Sequence, residues 1–259
     1  MNIKLSVVIA YYKNKTFLKL LLRAFQQQTR KEFELVIAED DNALDIDTLG
    51  IADYTFPIRH VSQEDSGFRK CRILNQAIKR ATADRIVFID GDCIPHPRFI
   101  ESYLNLLEYP CIFGRRVMLS EGHTEKLTNG KSSLAILNLI AEGSKQIKHA
   151  IYYPTRKPNQ TNSKGIWGCN WSIDKELLCQ VNGFDEDYTL AGIGEDVDIE
   201  WRLRKNGVPI YYAKHRPIVY HLYHPEHYND AIVNQNLKKL KSKRQLGAAY
   251  CINGIKKAD

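Results

Sequence analysis

Apolar residues along this chain change their spacing in blocks, and the blocks alternate. Residues 5–10 form a short, nearly continuous apolar run of the kind a strand buried on both faces carries. The segment from 16 to 27 has apolar residues at Phe17, Leu18, Leu21, Leu22 and Phe25, a helical stripe. Strand character returns at 33–38 and at 58–61, a helix is predicted over 69–80, and the run at 85–89 reads as a further buried strand. Such alternation predicts an α/β fold, a mostly parallel central sheet flanked by helices. Ligands of open sheets of this kind gather at the carboxyl ends of the strands. Two runs end there in acids: Glu39-Asp40-Asp41-Asn42 follows the second, and Asp90-Gly91-Asp92 follows 85–89.

The later pattern is less regular. A helix is expected over 98–107, an edge strand at 111–114, a helical segment over 134–140 and a loop over 152–163, where Pro154 and Pro158 interrupt any regular element. The stretch 120–163 says least, and a long loop in a compact domain is a natural place for acceptor binding. Further on, Gly192-Ile193-Gly194 leads into Glu195, Asp196, Asp198 and Glu200 at the start of a helix. Acids in a first turn are favoured by the helix dipole and serve as caps, yet four are more than capping requires. The apolar run at 218–220 ends in His221, with His224 close behind. A last helix over 234–246 spaces Leu237, Leu240 and Leu246 among Lys238, Lys239, Lys241, Lys243 and Arg244.

Composition narrows the classes. At 259 residues, 44% hydrophobic and 26% charged, the chain is an ordinary globular protein and is read as one domain. Its formal charge of +7 favours acidic partners: nucleic acid, anionic lipid or phosphorylated substrates. Without interleaved aromatics or a base-reading motif, no nucleic acid partner is expected. The first apolar run is too short for a signal-peptide core and no run is long enough to span a bilayer, so a cytoplasmic protein is expected. The basic late helix reads either as a solvated face or as a peripheral docking surface for the inner membrane leaflet. Six cysteines are scattered without Cys-x-x-Cys spacing and read as buried thiols.

The chemistry begins at Asp90-Gly91-Asp92. Two carboxylates one residue apart repel each other unless a proton or a cation intervenes. A divalent metal carrying phosphate suits them, because hard cations take carboxylate oxygens and are often held by one or two of them plus substrate phosphate. A neutral imidazole such as His221 can complete the coordination of manganese. A solvated turn or a helix cap is the bland reading of each cluster taken alone.

Five blocks, residues 5–12, 34–42, 67–75, 87–97 and 168–206, in this order resemble family 2 glycosyltransferases of the GT-A fold. The carboxyl half is similar to the β-1,4-galactosyltransferase and chondroitin polymerase branch. The resemblance implies a nucleotide-sugar half over 1–118, an acceptor and catalytic half over 119–225, and a basic helix over 226–259. It makes Asp90-Gly91-Asp92 the sugar-nucleotide signature, with Asp92 the metal ligand and Asp90 nearer the ribose and donor sugar. Ala10, Tyr11 and either Glu39 or Asp40 would hold the uridine, and Arg69 and Arg72 the diphosphate or ribose. Asp196 matches the general base, Glu195 its acidic neighbour, and His221 or His224 the histidine ligand. Relatives carry an indole before the paired glycines, where this chain has Gly192-Ile193-Gly194.

The implied activity is metal-dependent transfer, with manganese or magnesium, of a hexose or N-acetylhexosamine from a nucleotide diphosphate sugar, UDP-linked by preference. The acceptor is expected to be a glycan or lipid-linked sugar in surface polysaccharide synthesis, and the anomeric centre inverts. Two alternatives stay open. A phosphatase of the haloacid dehalogenase type shares a strand-end aspartate pair but wants it on the first strand. A non-catalytic nucleotide-sugar binding module has little reason to keep Glu195 and Asp196.

Overall fold

A computed structural model describes residues 2–162, 165–225 and 229–257. Its centre is an eight-stranded sheet in the order β3-β2-β1-β4-β9-β6-β10-β8. The first four are β1 (Leu5–Tyr11), β2 (Phe33–Glu39), β3 (Ile58–Ser62) and β4 (Arg85–Asp90), all parallel to their neighbours. Two helices link them, α1 (Lys15–Gln26) and α2 (Lys70–Arg80). β1, β2 and β4 are apolar at successive positions because both faces are covered, whereas the edge strand β3 is only partly buried. Val7, Ile9, Leu35, Ile37, Val87 and Ile89 pack with Leu18, Leu21, Leu22 and Phe25 of α1. The intervening Val8, Val36, Ala38, Ile86 and Phe88 pack with Ile73, Leu74, Ala77 and Ile78 of α2.

Register decides where chemistry sits. Ala10 lies opposite Asp90, and Tyr11 opposite Glu39, so the carboxyl ends of three central strands finish level. Beyond β4 the sheet changes direction. β5 (Cys93–Pro95), β6 (Cys111–Phe113) and β7 (Arg115–Met118) surround α3 (Phe99–Leu104), and α4 (Glu121–Thr128), α5 (Ile136–Ala141) and β8 (Asn159–Gln160) follow. β9 (Trp171–Asp174) runs antiparallel between β4 and β6. It leads through α6 (Lys175–Gln180) to α7 (Glu195–Lys205), β10 (Ile210–Tyr212), β11 (Ile218–His221) and α8 (Asp230–Leu246). A small second sheet, β5-β11-β7, lies beside the end of β4.

Several expectations need correction. The 111–114 strand is not an edge: β6 is enclosed between β9 and β10. The loop expected over 152–163 contributes β8, the true edge strand, paired with β10. β9 and β10 replace segments for which no strand was expected, since neither the single turn of apolar residues at 171–173 nor that at 210–212 is long enough to show a period. Of the cysteines, five are buried as expected, but Cys179 is exposed. Among the described residues, no helix is long and apolar enough to cross a membrane.

Candidate active site

Asp90 closes β4 and Asp92 follows across Gly91, whose N–H donates to the Ala10 carbonyl at 2.8 Å. A Cβ at Gly91 would stand 3.0 Å from that carbonyl oxygen, so glycine lets the acidic turn lie against the end of β1 without crowding it. From Asp92 the chain enters β5, which pairs antiparallel with β11 and sets Cys93 opposite His221. The Leu222 N–H donates to the Asp92 carbonyl at 2.8 Å and fixes the histidine segment to the acidic turn.

The side chains converge accordingly. Asp92 Oδ2 is 2.9 Å from His224 Nε2 and 3.5 Å from His221 Nε2. Asp92, Cys93 and His221 each offer a ligand atom within 4.8 Å of the others. Burial acts against ionised Asp92, but the two imidazoles outweigh it and hold the carboxyl down at about 2. His224, bonded to that carboxylate, is lifted to about 9, whereas burial pushes the deeper His221 down. His221 Nδ1 is buried with no hydrogen-bond partner. A carboxylate already ionised and two imidazoles within reach of it are a donor set that fits manganese or a similar divalent ion.

The acidic run of α7 divides by helical position. Asp198 is buried against Arg202, 2.7 Å away, and Glu200 accepts from Arg204 and from the Ile166 N–H at 2.6 Å. Those two hold the fold. Glu195 and Asp196 instead line a narrow cleft with Ala10, Lys70, Leu74, Phe88, Asp90 and Gly168. Burial drives Glu195 up to about 7 despite the nearby Lys70 ammonium, and raises Asp196 as well. Asp196 keeps one oxygen on its own helix, where the Val197 N–H donates at 2.8 Å. Glu195 Oε2 has no partner.

The turn before these acids is held from two sides. Asn182 and Gly183 both take positive φ, and the Asn75 side chain receives the Phe184 N–H at 2.9 Å while donating to the Phe184 carbonyl at 2.8 Å. From α8, Asn236 donates to the Leu190 carbonyl at 3.0 Å and Lys243 meets Asp185 at 2.5 Å. Lys239 and Lys243 of the basic helix therefore face the protein, Arg244 lies over the Trp201 ring at 5.8 Å, and Lys238 and Lys241 point outward.

Other expected residues take mixed places. Tyr11 is buried at the end of β1, its phenol pushed up to about 12 by burial and by Glu39 and Asp41. Glu39 receives the Leu44 N–H at 2.8 Å and contacts His60 at 2.8 Å, so its carboxylate braces the loop after β2. Asp40 receives the Gln63 amide at 2.6 Å and the Arg69 N–H at 2.8 Å. The Arg69 guanidinium donates to the Glu64 carbonyl at 3.0 Å, with its Nε buried and unbonded. Arg72 is exposed on α2 and does not line the cleft, so the structure does not bring it to the site. Sequence reasoning passed over Lys70, whose Nζ is 2.9 Å from Asp90 and 3.7 Å from Glu195. It also passed over Trp167, whose ring carries the Arg115 guanidinium at 4.2 Å and the Arg116 guanidinium at 5.1 Å. Ile193, in place of an indole, is 45% exposed, so the turn before α7 presents an aliphatic side chain to solvent.

Comparison with known proteins defines the class. A parallel half-sheet joined to mixed strands, with an acid pair at the end of β4, is the GT-A architecture, and solved glycosyltransferases of that fold superpose on it. S. aureus TarS, with UDP bound, matches at TM-score 0.60 and 15% identity over 93% of this chain and 72% of that one. GalNAc-T7, solved with UDP, GalNAc and Mn2+, matches at TM-score 0.64 and 12% identity over 92% of this chain and 48% of that one. Residues 6–179 match the model of glycosyl transferase family 2, and residues 153–225 that of the N-terminal domain of galactosyltransferase.

The chain belongs to glycosyl transferase family 2. It is similar to the chondroitin synthase of Escherichia coli, 25% identical over 78% of this chain and 32% of that protein. The validoxylamine A glucosyltransferase of Streptomyces hygroscopicus subsp. jinggangensis (strain 5008) is 24% identical over 80% of this chain and 52% of that protein. The chain thus spans about a third to a half of the length of these relatives.

Proposed function

We propose that the cleft transfers a sugar from a nucleotide diphosphate donor, UDP-linked by preference, to a hydroxyl of a glycan or lipid-linked acceptor, inverting the anomeric carbon. The observation that carries this reading is the meeting of two acid sets: Asp90 shares one cleft with Glu195 and Asp196, and Asp92, two residues on, lies against His221 and His224. UDP bound to TarS, and UDP with GalNAc and Mn2+ in GalNAc-T7, support the donor class.

Asp92 with His221 or His224 would hold the divalent ion, manganese or magnesium. When bound, such an ion acts as a Lewis acid on the diphosphate oxygens of the departing nucleotide. Ala10, Tyr11 and the Glu39-Asp40 corner form the floor for the base and ribose. Both acids are engaged, Glu39 with the loop it braces and Asp40 with Gln63 and the Arg69 N–H, and either could take the base. Asp196 takes the acceptor hydroxyl proton as that oxygen bonds to the anomeric carbon, while the bond to the diphosphate breaks and its electrons leave with the nucleotide. A sugar hydroxyl needs this help, and a base whose pKa is raised toward neutrality abstracts the proton more effectively than an ordinary aspartate. No covalent intermediate is required.

The phosphatase alternative wants its acid pair on the first strand, and here the pair ends β4. Lys238 and Lys241 give the outward face of α8 a positive charge that suits an anionic membrane leaflet and a lipid-linked acceptor. The test of the donor class is a thermal-shift screen of UDP, GDP and CMP with and without manganese. A ligand that binds only the folded state raises the melting temperature with its occupancy. UDP with manganese is expected to give the largest rise, and no rise with any nucleotide would refute the reading.

A further inference from the structure

We propose that Lys70 is a positioning residue: its ammonium ties the donor-side carboxylate Asp90 to the acceptor-side carboxylate Glu195 and keeps both aimed into one cleft. This rests on the roles given above to those two acids.

Three elements distant in sequence meet at this ammonium. Lys70 opens α2, Asp90 closes β4 and Glu195 opens α7. Nζ is 2.9 Å from Asp90 Oδ1 and 3.7 Å from Glu195 Oε1, and the lysine side chain is only 21% exposed. Gly168 lies against the ammonium, where an added Cβ would stand 3.4 Å from Nζ, an ordinary contact. Leu74, Phe88 and Phe184 line the same cleft and exclude water, which strengthens each ion pair.

The groups facing Glu195 are Lys70 and the Cys71 thiol on α2, Asp90 on β4 and its neighbour Asp196 on α7. Of these only Lys70 brings positive charge. Were it absent, three carboxylates would face one another in a desolvated cleft, and at least one would take up a proton or turn away. A compact ammonium on a flexible stem can serve two carboxylates from separate elements at once, where a planar guanidinium favours paired bonds to a single one. An ordinary structural ion pair joins one acid to one base. Here one base joins two acids that the proposed reaction assigns to different substrates.

The experiment uses the full chain and the variants Lys70→Met, Lys70→Gln and Lys70→Arg, with Lys70→Gln carrying the test should Lys70→Met fail to fold. Melting without ligand is compared at pH 8 and pH 5.5, in the wild-type and Glu195→Gln backgrounds. At pH 8 the loss of the ammonium is expected to lower the melting temperature by about 4 °C. At pH 5.5 Glu195 is protonated in either protein, and less than half of that difference should remain. Lys70→Arg, which keeps the charge but favours one of the two carboxylates, should recover only part of the stability, and Glu195→Gln should flatten the pH dependence. A loss equal at both pH values and indifferent to Glu195→Gln would show that Lys70 only packs, and would overturn the inference.

Calorimetry with UDP and manganese supplies the second readout. Weakening by about tenfold in Lys70→Met, partly restored in Lys70→Arg, is expected, since a misaimed Asp90 costs about one good hydrogen bond. Equal UDP binding in wild type and Lys70→Met would overturn the link to the donor. If wild type itself bound no UDP, the donor reading would fall, while the melting comparison would still decide whether Lys70 ties the two acids.

Discussion

Asp92 and Glu195 are both acids of one site, and their surroundings move them in opposite directions. Around Asp92 two imidazoles gather, and its carboxyl is held down at about 2. Around Glu195 the nearest groups include two further carboxylates and one ammonium, and burial lifts it to about 7. Desolvation raises both; beside Asp92 the two imidazoles outweigh it, whereas beside Glu195 the Lys70 ammonium, opposed by Asp196 and Asp90, does not. On the proposed reading, the difference separates a metal-holding end around Asp92 and the two histidines, where an acid stays ionised, from a proton-accepting end around Glu195 and Asp196, where acids are pushed up. The small sheet β5-β11-β7 builds the first, and the first turn of α7 builds the second.

The sharpest way to break this contrast is at the proton-accepting end. Asp196→Asn should lower sugar transfer by about two to four powers of ten while leaving UDP binding in place, as radiolabelled transfer and calorimetry would show. Full activity in that variant would remove the base assignment. Next in size, Asp92→Ala should weaken manganese-linked stabilisation by UDP by about a hundredfold in concentration. A melting titration with manganese at fixed UDP measures it, and an unchanged midpoint would place the metal elsewhere.

Glu195 predicts a pH effect of definite sign. Its folded pKa lies above the unfolded value, so the folded state holds the proton more tightly. Its contribution to stability is greatest below the ordinary glutamate range and is lost as pH rises toward about 7. Glu195→Gln should therefore melt above wild type at pH 8, by a few degrees, with the gap closing by pH 5. The reverse order at pH 8 would contradict the burial argument. Smallest is Gly91→Ala, whose new methyl would press on the Ala10 carbonyl at 3.0 Å. A destabilisation of about 1 kcal/mol is expected by urea titration, accompanied by weaker UDP binding.

Much of this was legible in the chain. β1, α1, β2, β3, α2 and β4 fall within two residues of their expected limits, because doubly covered strands and a one-sided helix write clear periods. The meeting of Asp92 with His221 follows from β5 pairing β11, a contact between residues far apart that no local period reveals. Which cation of 69–72 faces the cleft was missed for a geometric reason. Successive helical residues turn by about 100°, so Lys70 and Leu74 share one face while Arg72 points away. It was the resemblance that singled out Glu195 and Asp196, and the residue pattern alone left the acids of α7 undivided. Their roles separate only once Arg202 and Arg204, one turn on, are seen to claim Asp198 and Glu200.

The two-ended site is tested most directly by calorimetry of UDP binding, with and without manganese, to wild type, Asp92→Ala and Asp196→Asn in parallel. The account predicts binding that depends on manganese in wild type, its loss in Asp92→Ala and its retention in Asp196→Asn. UDP binding indifferent to manganese and to Asp92, or abolished by Asp196→Asn alone, would contradict it.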